Sequence, residues 1–556
     1  MKNKRLLIFT AAILLALLCC ACGKTEPEET TVLPEETEET PTVSQVPTLV
    51  SDGKANYTVI LPESSSGEIR KAANALCDKL GDIFGVKFKY SKTKAGLPED
   101  QKLILIGAQS DSGSAIPYNK YLVTVEDNGN IVISAWSASA LGDVCTKLAL
   151  RISSSVENGD TLGSVTDALE IEGTDTALLA DEVPIFSPSR MPTIFKVQGA
   201  RGAYELCFNE SRAEDHAAYS EILKQNGFSE IQRKESKDAI FSVFVKDQLE
   251  ITLNFWHKTC ELLAIVDKPT QTKPLTYPEQ VAPVTVPKII EPGLEYAGAL
   301  KGMCYLLQLS DGSFIVFDSG DESNTFVERL YSVMTANLPA GTKPTVLAWF
   351  ISHQHGDHYG GLVALASSSF ASKINCVSVY TNMPIDSYQS AYDRSTYLNR
   401  YEKIENAAKK LGADFHIART GQTYYYRDTE ICILGSVDDM FINDFNDLDE
   451  TSLVISVSTG TKRLLFSGDS GPLYIGQYLL KRYTADTLKS DICQATSHGA
   501  NNAAFTDYYK LADPDYYLWP ADITFYNKHT PNKYIQSDKS AEIIYSYNGT
   551  RAIELK

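Results

Sequence analysis

A chain of 556 residues is too long for one hydrophobic core and points to roughly three or four domains. Its apolar content of 43 % is that of an ordinary globular protein. The formal net charge of -19 and isoelectric point near 5.0 exclude a broad basic surface that would hold nucleic acid or anionic lipid, so no stable nucleic-acid complex is expected.

The N-terminus reads as a targeting segment. Lys2, Lys4 and Arg5 form a basic start, and Leu6 to Leu18 an apolar stretch too short to span a bilayer comfortably. Cys19-Cys20-Ala21-Cys22-Gly23 follows, and small residues before a Cys with Gly after it resemble a bacterial lipobox. Residues 1–22 are therefore expected to be a lipoprotein signal peptide, with Cys22 lipidated and the chain anchored to the cell membrane on its extracytoplasmic side. Cys20 is the alternative anchor, and an ordinary secretory signal cleaved nearby is the plainer reading. The eight later cysteines form no CxxC spacing and sit mostly in apolar runs, which favours buried free thiols. Residues 23–53, rich in Glu, Thr and Pro, read as an extended acidic tether.

Residues 54–173 read as a small α+β domain. Strands are expected at Tyr57–Leu61 and Leu103–Gly107, and a hairpin at Tyr121–Val125 and Ile131–Ala135 around Asp127-Asn128-Gly129-Asn130. Helices are expected at Glu68–Leu80 and Ala138–Ile152. This order resembles the accessory domain ahead of the catalytic barrel in bacterial β-N-acetylhexosaminidases and α-glucuronidases. The resemblance implies contact with envelope glycan, and a spacer role is the plainer alternative. Residues 174–292 read as a second small α+β unit, with strands at 204–208, 229–233, 239–245, 249–256 and 262–266 and a helix over Ala213–Asn226 stopped by Gly227. His216 and His257 stand alone there. Pro278, Pro283, Pro287 and Pro292 punctuate a linker expected to tolerate a cut.

From 293 to 556 strands and helices alternate. Tyr305–Leu309 and Ser313–Phe317 form a hairpin, and Thr325–Ala336 a helix. Thr345–Ile351 is a buried strand running into Ser352-His353-Gln354-His355-Gly356-Asp357-His358-Tyr359-Gly360-Gly361, read as a loop that opens a helix near Leu362–Leu365. Residues two apart on an extended backbone point the same way, so His353 and His355 can grip one metal. Asp357 and His358 reach a second. Imidazole with carboxylate suits zinc first, and manganese or iron less well. Further helices are expected over Thr396–Leu411 and Pro472–Leu480, and strands over Glu430–Leu434 and Ser452–Val457.

The run from His353 to His358 resembles the HxHxDH motif of the metallo-β-lactamase fold superfamily. Phe314–Gly320 resembles the early strand whose Asp orients a ligand, Leu464–Asp469 the strand ending in the bridging Asp, and Asp491–Gly499 the strand carrying the last His. The resemblance implies an αββα sandwich behind the two small α+β domains. It also implies two divalent metal ions held by His353, His355, Asp357, His358, Asp469 and His498, with Asp357 orienting the nucleophile. The family's third His of the first site is missing, since Asp447 to Val454 contains none. The stretch resembles the (N/D)xxS pattern of competence-protein-like secreted members, which makes Asp449 the candidate substitute, while His416 lies on an earlier strand. Redox di-iron members carry Glu where this chain has His355, and true β-lactamases use the missing His. The implied activity is a surface-anchored phosphodiesterase acting on extracellular nucleic acid, nucleotides or phosphate-containing envelope polymers. The alternatives are ester or amide hydrolysis on the same metals, and a non-catalytic glycan-binding lipoprotein. Tyr359 and Asn527-Lys528-His529 fall where substrate loops are expected, with a solvated loop as the plainer reading.

Overall fold

A computed structural model describes residues 48–61, 67–107, 120–135, 138–157, 171–174, 183–184, 186, 193–196, 203–269, 282–283, 286–293, 302–384, 394–439, 447–520 and 531–556. The signal segment, Cys22, the tether up to residue 47, Pro278 and Asn527-Lys528-His529 lie outside the described residues. Among the described residues, no helix is long and apolar enough to cross a membrane.

The first domain is a six-stranded sheet in the order Tyr90–Ser91, Tyr57–Ile60, Lys102–Ile106, Ile131–Ala135, Lys120–Val125, Ile171–Thr174. Helices Gly67–Phe84 and Ala138–Glu157 cover one face. The expected helical spacing is what buries Ala72, Leu76 and Leu80 against Leu141, Val144 and Leu148. The expected hairpin is present, with Tyr121 opposite Ala135 and Val125 opposite Ile131.

The second unit is a six-stranded antiparallel sheet in the order Ser229–Glu235, Ala239–Lys246, Leu249–Trp256, Glu261–Asp267, Tyr204–Phe208, Thr193–Lys196. Strand alternation sends Leu206, Phe244, Ile251 and Leu253 to one face, under helix Ala213–Gln225. It sends Cys207, Phe241, Trp256, Leu263 and Ile265 to the other, where they join the core of the C-terminal half.

That half is a two-sheet sandwich with outer helices. One sheet runs Asp414–Ile417, Ser378–Thr381, Thr345–Phe350, Phe314–Phe317, Tyr305–Gln308, Lys288–Glu291, Arg551–Glu554, with Asn375–Cys376 beside Thr345–Phe350. The other runs Thr423–Tyr426, Thr429–Gly435, Val454–Ser458, Arg463–Phe466, Ile492–Gln494, Tyr516–Trp519, Glu542–Tyr545. Phe317, Phe350, Tyr380, Tyr424 and Phe466 interdigitate between them, with Phe317 stacked on Phe466 at 4.0 Å. Helices Asn324–Ala336, Gly356–Ser367 and Arg394–Leu411 cover the first sheet. Short helices around Tyr474 and Ala503–Ala512 share the cover of the second sheet with the accessory sheet's Trp256 face. The result is a mixed α/β multidomain chain whose C-terminal sandwich follows two sheet-containing units.

Four features depart from the expectations. Lys288–Glu291 pairs with both Tyr305–Gln308 and Arg551–Glu554, so the sandwich takes a strand from ahead of residue 293. The helix after the His-rich run begins at Gly356, which puts Asp357 and His358 in its first turn and not in a loop. Gly360 and Gly361 read as loop formers. Their role is close packing: a Cβ on either would strike the backbone of Ser319–Glu322. The segment expected as one helix over 472–480 is instead an α turn at Pro472–Tyr474, a π turn at Ile475–Leu479 and a last turn at Leu480–Arg482.

Candidate metal centre

Five chain segments reach one edge of the sandwich. Phe314–Phe317 and Thr345–Phe350 run parallel, so Asp318 and the Ser352–His358 segment leave the first sheet side by side. Arg463–Phe466 and Ile492–Gln494 are also parallel and deliver Asp469 and His498 from the second sheet. Val454–Ser458 is antiparallel to Arg463–Phe466, so the residues before it lie where Asp469 leaves. Asp449 sits there, in the short helix Leu448–Thr451, whose N-cap Asp447 accepts from the Asp449 N–H.

The seven residues singled out from sequence converge. His353 Nε2 lies 2.9 Å from His355 Nδ1. Asp449 Oδ1 is 2.8 Å from His355 Nδ1 and 3.5 Å from His353 Nε2. Beside this set, His498 Nε2 lies 3.1 Å from Asp469 Oδ2 and 3.4 Å from Asp357 Oδ2, and His358 Nε2 lies 3.3 Å from Asp469 Oδ2. Rings of His353 and His358 are 4.1 Å apart and join the two sets. Among the described residues three groups have ligand atoms close enough to share an ion: His353, His355 and Asp449; His353, His358 and Asp469; Asp357, His358 and His498. His416 is in none of them and stacks on Tyr380 at 4.8 Å.

The outer partners fix how the rings face. Asp318, at a left-handed φ of 57°, accepts from the Ser352 N–H at 2.7 Å and the Ser352 hydroxyl at 2.9 Å. Its Oδ2 lies 2.9 Å from His358 Nδ1. The Ser352 Oγ lies 3.1 Å from His353 Nδ1. His498 Nδ1 is 2.5 Å from the Pro520 carbonyl. With Nδ1 turned to these outer partners, the Nε2 atoms of His353, His358 and His498 point inward, the nitrogen a metal would take once its proton is released. Ser497, His498 and Gly499 are all left-handed, at φ 51°, 52° and 78°, and a side chain at Gly499 would strike Trp519. The turn that aims His498 is thus held by packing on its glycine side. Ser352 and Gln494, which accepts from Ser467 N–H at 2.8 Å, escaped the sequence reading, whereas Ser452, whose hydroxyl accepts from the Asp469 N–H at 3.1 Å, entered it only as the Ser of the (N/D)xxS pattern with no role. The signal for Ser352 and Gln494 was position: each stands within a few residues of a candidate ligand, with a side chain short or forked enough to reach the main chain.

Charge in the cluster is far from ordinary. Burial disfavours a charged ring at His498, yet the Asp469 and Asp357 carboxylates outweigh it and lift the ring to about 9. Burial opposes charge on His358 as well, but Asp469, Asp318 and Asp357 hold it well above the usual histidine range. Burial and the His358 ring together push His353 down. Asp469 lies well below the usual carboxylate range despite its burial, because His498 and His358 face it. His353, His358, Asp469 and His498 are buried to 3 % exposure or less. Asp469 Oδ1 is buried with no hydrogen-bond partner, and His358 Nε2 makes no well-aligned hydrogen bond although Asp469 Oδ2 lies 3.3 Å away. Buried carboxylates and inward imidazoles that are left unsatisfied by the protein fit divalent cations. Tyr359 does not face the cluster; it is 6 % exposed and packs into the core under the outer helices.

Residues 297–426 match the family described as the metallo-beta-lactamase superfamily. That match includes the His353–His358 run and ends before Asp449, Asp469 and His498. No curated protein matches the chain. Among solved structures it is similar to the metallo-beta-lactamase fold protein YhfI from Bacillus subtilis, with 15 % identity, 48 % of this chain and 99 % of that chain covered, and a TM-score of 0.31. A protein described as a new diphosphatase from the PhnP family is similar at 12 % identity, over 48 % of this chain and 98 % of that chain, with a TM-score of 0.29. The C-terminal sandwich has the metallo-β-lactamase fold, that of a superfamily of hydrolases, and its His and Asp groups suit divalent metals.

Proposed function

We propose that this chain is a dinuclear metal-dependent phosphodiesterase, held on the extracytoplasmic face of a bacterial cell membrane through lipidated Cys22. The observation that carries the reading is the pair of donor sets meeting at His353 and Asp469. His353, His355 and Asp449 would hold one ion, Asp357, His358 and His498 the other, with Asp469 between them. Two divalent ions bound there would acidify a water and screen charge building on the substrate oxygens. The ligand carboxylates Asp357, Asp449 and Asp469 would leave two dications with one net positive charge. That balance suits a singly charged phosphodiester, and zinc, with manganese or iron as substitutes.

The chain's own residues set the rest. The side chains of His355 and Asp449 are 19 % and 28 % exposed, the open side of an otherwise buried cluster, and substrate enters there. Asp357 lies in the first turn of its helix and faces His498 and His358. It orients the attacking water and takes its proton. Asp318 and Ser352 keep the His358 and His353 rings from turning as charge develops. The test is a screen of the purified full chain against phosphodiester, carboxylic ester and lactam chromogenic substrates, with metal content measured in parallel. Phosphodiester turnover that a chelator abolishes and divalent metal restores is expected. Turnover of ester or lactam alone, or full turnover without metal, overturns the assignment.

A further inference from the structure

A second polar cluster lies at the same sandwich edge, and the metal ligands do not include it. Arg419 follows strand Asp414–Ile417 and Asn382 follows strand Ser378–Thr381, and both strands run parallel to the one that delivers His353. Arg419 is only 1 % exposed. It pairs with Asp438 at 3.0 Å and with Asp267, the last residue of the accessory strand Glu261–Asp267. The Asp438 Oδ2 that accepts from Arg419 also accepts from Asn382 Nδ2 at 2.6 Å. Two residues on, the Pro384 carbonyl accepts from Gln354 Nε2 at 2.9 Å. Gln354 is fully buried between His353 and His355 in the chain, and its own carbonyl accepts from Arg400 at 2.9 Å.

Resting on the reading of the site as a metal centre, we infer that Asp267 of the accessory sheet is a positioning residue for the first metal, acting through Arg419, Asp438, Asn382 and Gln354 on His353 and His355. A buried guanidinium needs its carboxylates. With Asp267 in place, Arg419 is balanced from both sides, and Asp438 is fixed where Asn382 reads it. Asn382 then sets the turn whose Pro384 carbonyl holds the Gln354 side chain. Gln354 sits between two ligands whose ring nitrogens are 2.9 Å apart, so a slip of its main chain moves both. Parallel support comes from Glu250 on the same sheet. Its carboxylate accepts from Gln422 at 2.8 Å, and the Gln422 Oε1 accepts from the Arg419 N–H at 2.8 Å. The accessory sheet therefore grips Arg419 by its guanidinium and by its main chain.

The experiment strips metal from the full chain with a chelator and titrates it with zinc alone, at a temperature where every variant is folded. Asp267→Ala and Asn382→Ala are each expected to weaken uptake at one of the two sites by a few-fold, less than the roughly tenfold lost with a direct outer partner of a metal ligand because several contacts intervene. Asp238→Ala is the control. Asp238 lies at the same sheet-to-sandwich seam, where it accepts from Thr484 N–H at 2.9 Å, and leads to no ligand. Asn382→Ala removes no charge and decides the matter by itself if Asp267→Ala does not fold. Cobalt in place of zinc adds a spectroscopic reading, since the relay variants should alter the visible spectrum and Asp238→Ala should not. Unchanged zinc affinity in both relay variants, or equal weakening in Asp238→Ala, overturns the relay alone. A wild-type chain that takes up no zinc overturns the metal reading with it.

Discussion

Beginning the chain at Pro278 removes the accessory sheet and should leave the sandwich unable to fold. The proline-rich link reads as a domain boundary, but the structure places Phe241, Trp256, Leu263 and Ile265 in one core with Leu434, Tyr474, Phe505 and Trp519. Burial of each of those four accessory side chains is worth about 1.5–3 kcal/mol, so about 6–12 kcal/mol of apolar cover is lost. Trp256 also donates to the Tyr483 hydroxyl at 3.1 Å and carries the Arg482 guanidinium 3.8 Å above its ring. The cut also removes Asp267, one of the two carboxylates that balance Arg419. A domain's whole stability is about 5–15 kcal/mol. The assay compares chains 175–556 and 278–556 by solubility and by urea denaturation. The longer chain should unfold cooperatively, and the shorter should be insoluble or lack a folded baseline. A soluble 278–556 chain with the same denaturation midpoint as the longer one would refute the shared core.

Four other outcomes are expected. Asp449→Ala should remove about one metal per chain and most activity, Asp449→His should keep both metals with a shift towards zinc, and His416→Ala should leave metal content unchanged; metal analysis of the three decides it. Asp318→Asn keeps an acceptor for Ser352 but sets an N–H against His358 Nδ1, so zinc titration should show binding about 10–100-fold weaker. Burial lifts the Glu291 carboxyl to about 8, against a Gly293 N–H that lowers it. The folded chain therefore holds that proton more tightly than the unfolded chain. Stability should fall as pH rises between about 4.5 and 8, and Glu291→Gln should flatten that part of a urea-midpoint profile. Cys22→Ser should release the chain from the membrane fraction or block its processing; wild-type chain found wholly in the medium with an unmodified N-terminus would refute the anchor.

Elements whose signal is local were legible. The helix Ala213–Gln225 with its Gly227 stop, the 121–135 hairpin and the strand before His353 follow from spacing, turn residues and apolar runs. Lys288–Glu291 and Arg551–Glu554 were not, because each is short and they meet across the length of the domain, with Lys288–Glu291 held between Arg551–Glu554 and Tyr305–Gln308. The seam between the accessory sheet and the sandwich was illegible for a similar reason. Alternation in Ala239–Lys246 and Leu249–Trp256 is weak because both faces are buried, and a strand buried on both faces reads as a plain apolar run that names no partner.

Asp449 shows how far pattern reaches in the site itself. The missing imidazole was visible as an absence between two recognisable strands, and the (N/D)xxS resemblance pointed to Asp449, which stands between the acids Asp447 and Glu450. That resemblance gives no physical reason why Asp449 and not its acidic neighbours faces the metal site. The short helix does: it turns Asp447 back to cap the Asp449 N–H, and it spends Glu450 on the Leu473 and Tyr474 N–H groups at 3.2 and 2.7 Å. Asp449 is left facing His353 and His355. Burial also holds the Glu450 carboxyl above its ordinary range, so it is poorly suited to carry the charge a metal ligand must. Asp449, by contrast, is held low despite burial, by the His353 and His355 rings. A carboxylate kept ionised by two imidazoles, on the partly open side of the cluster, is the group a cation would meet first.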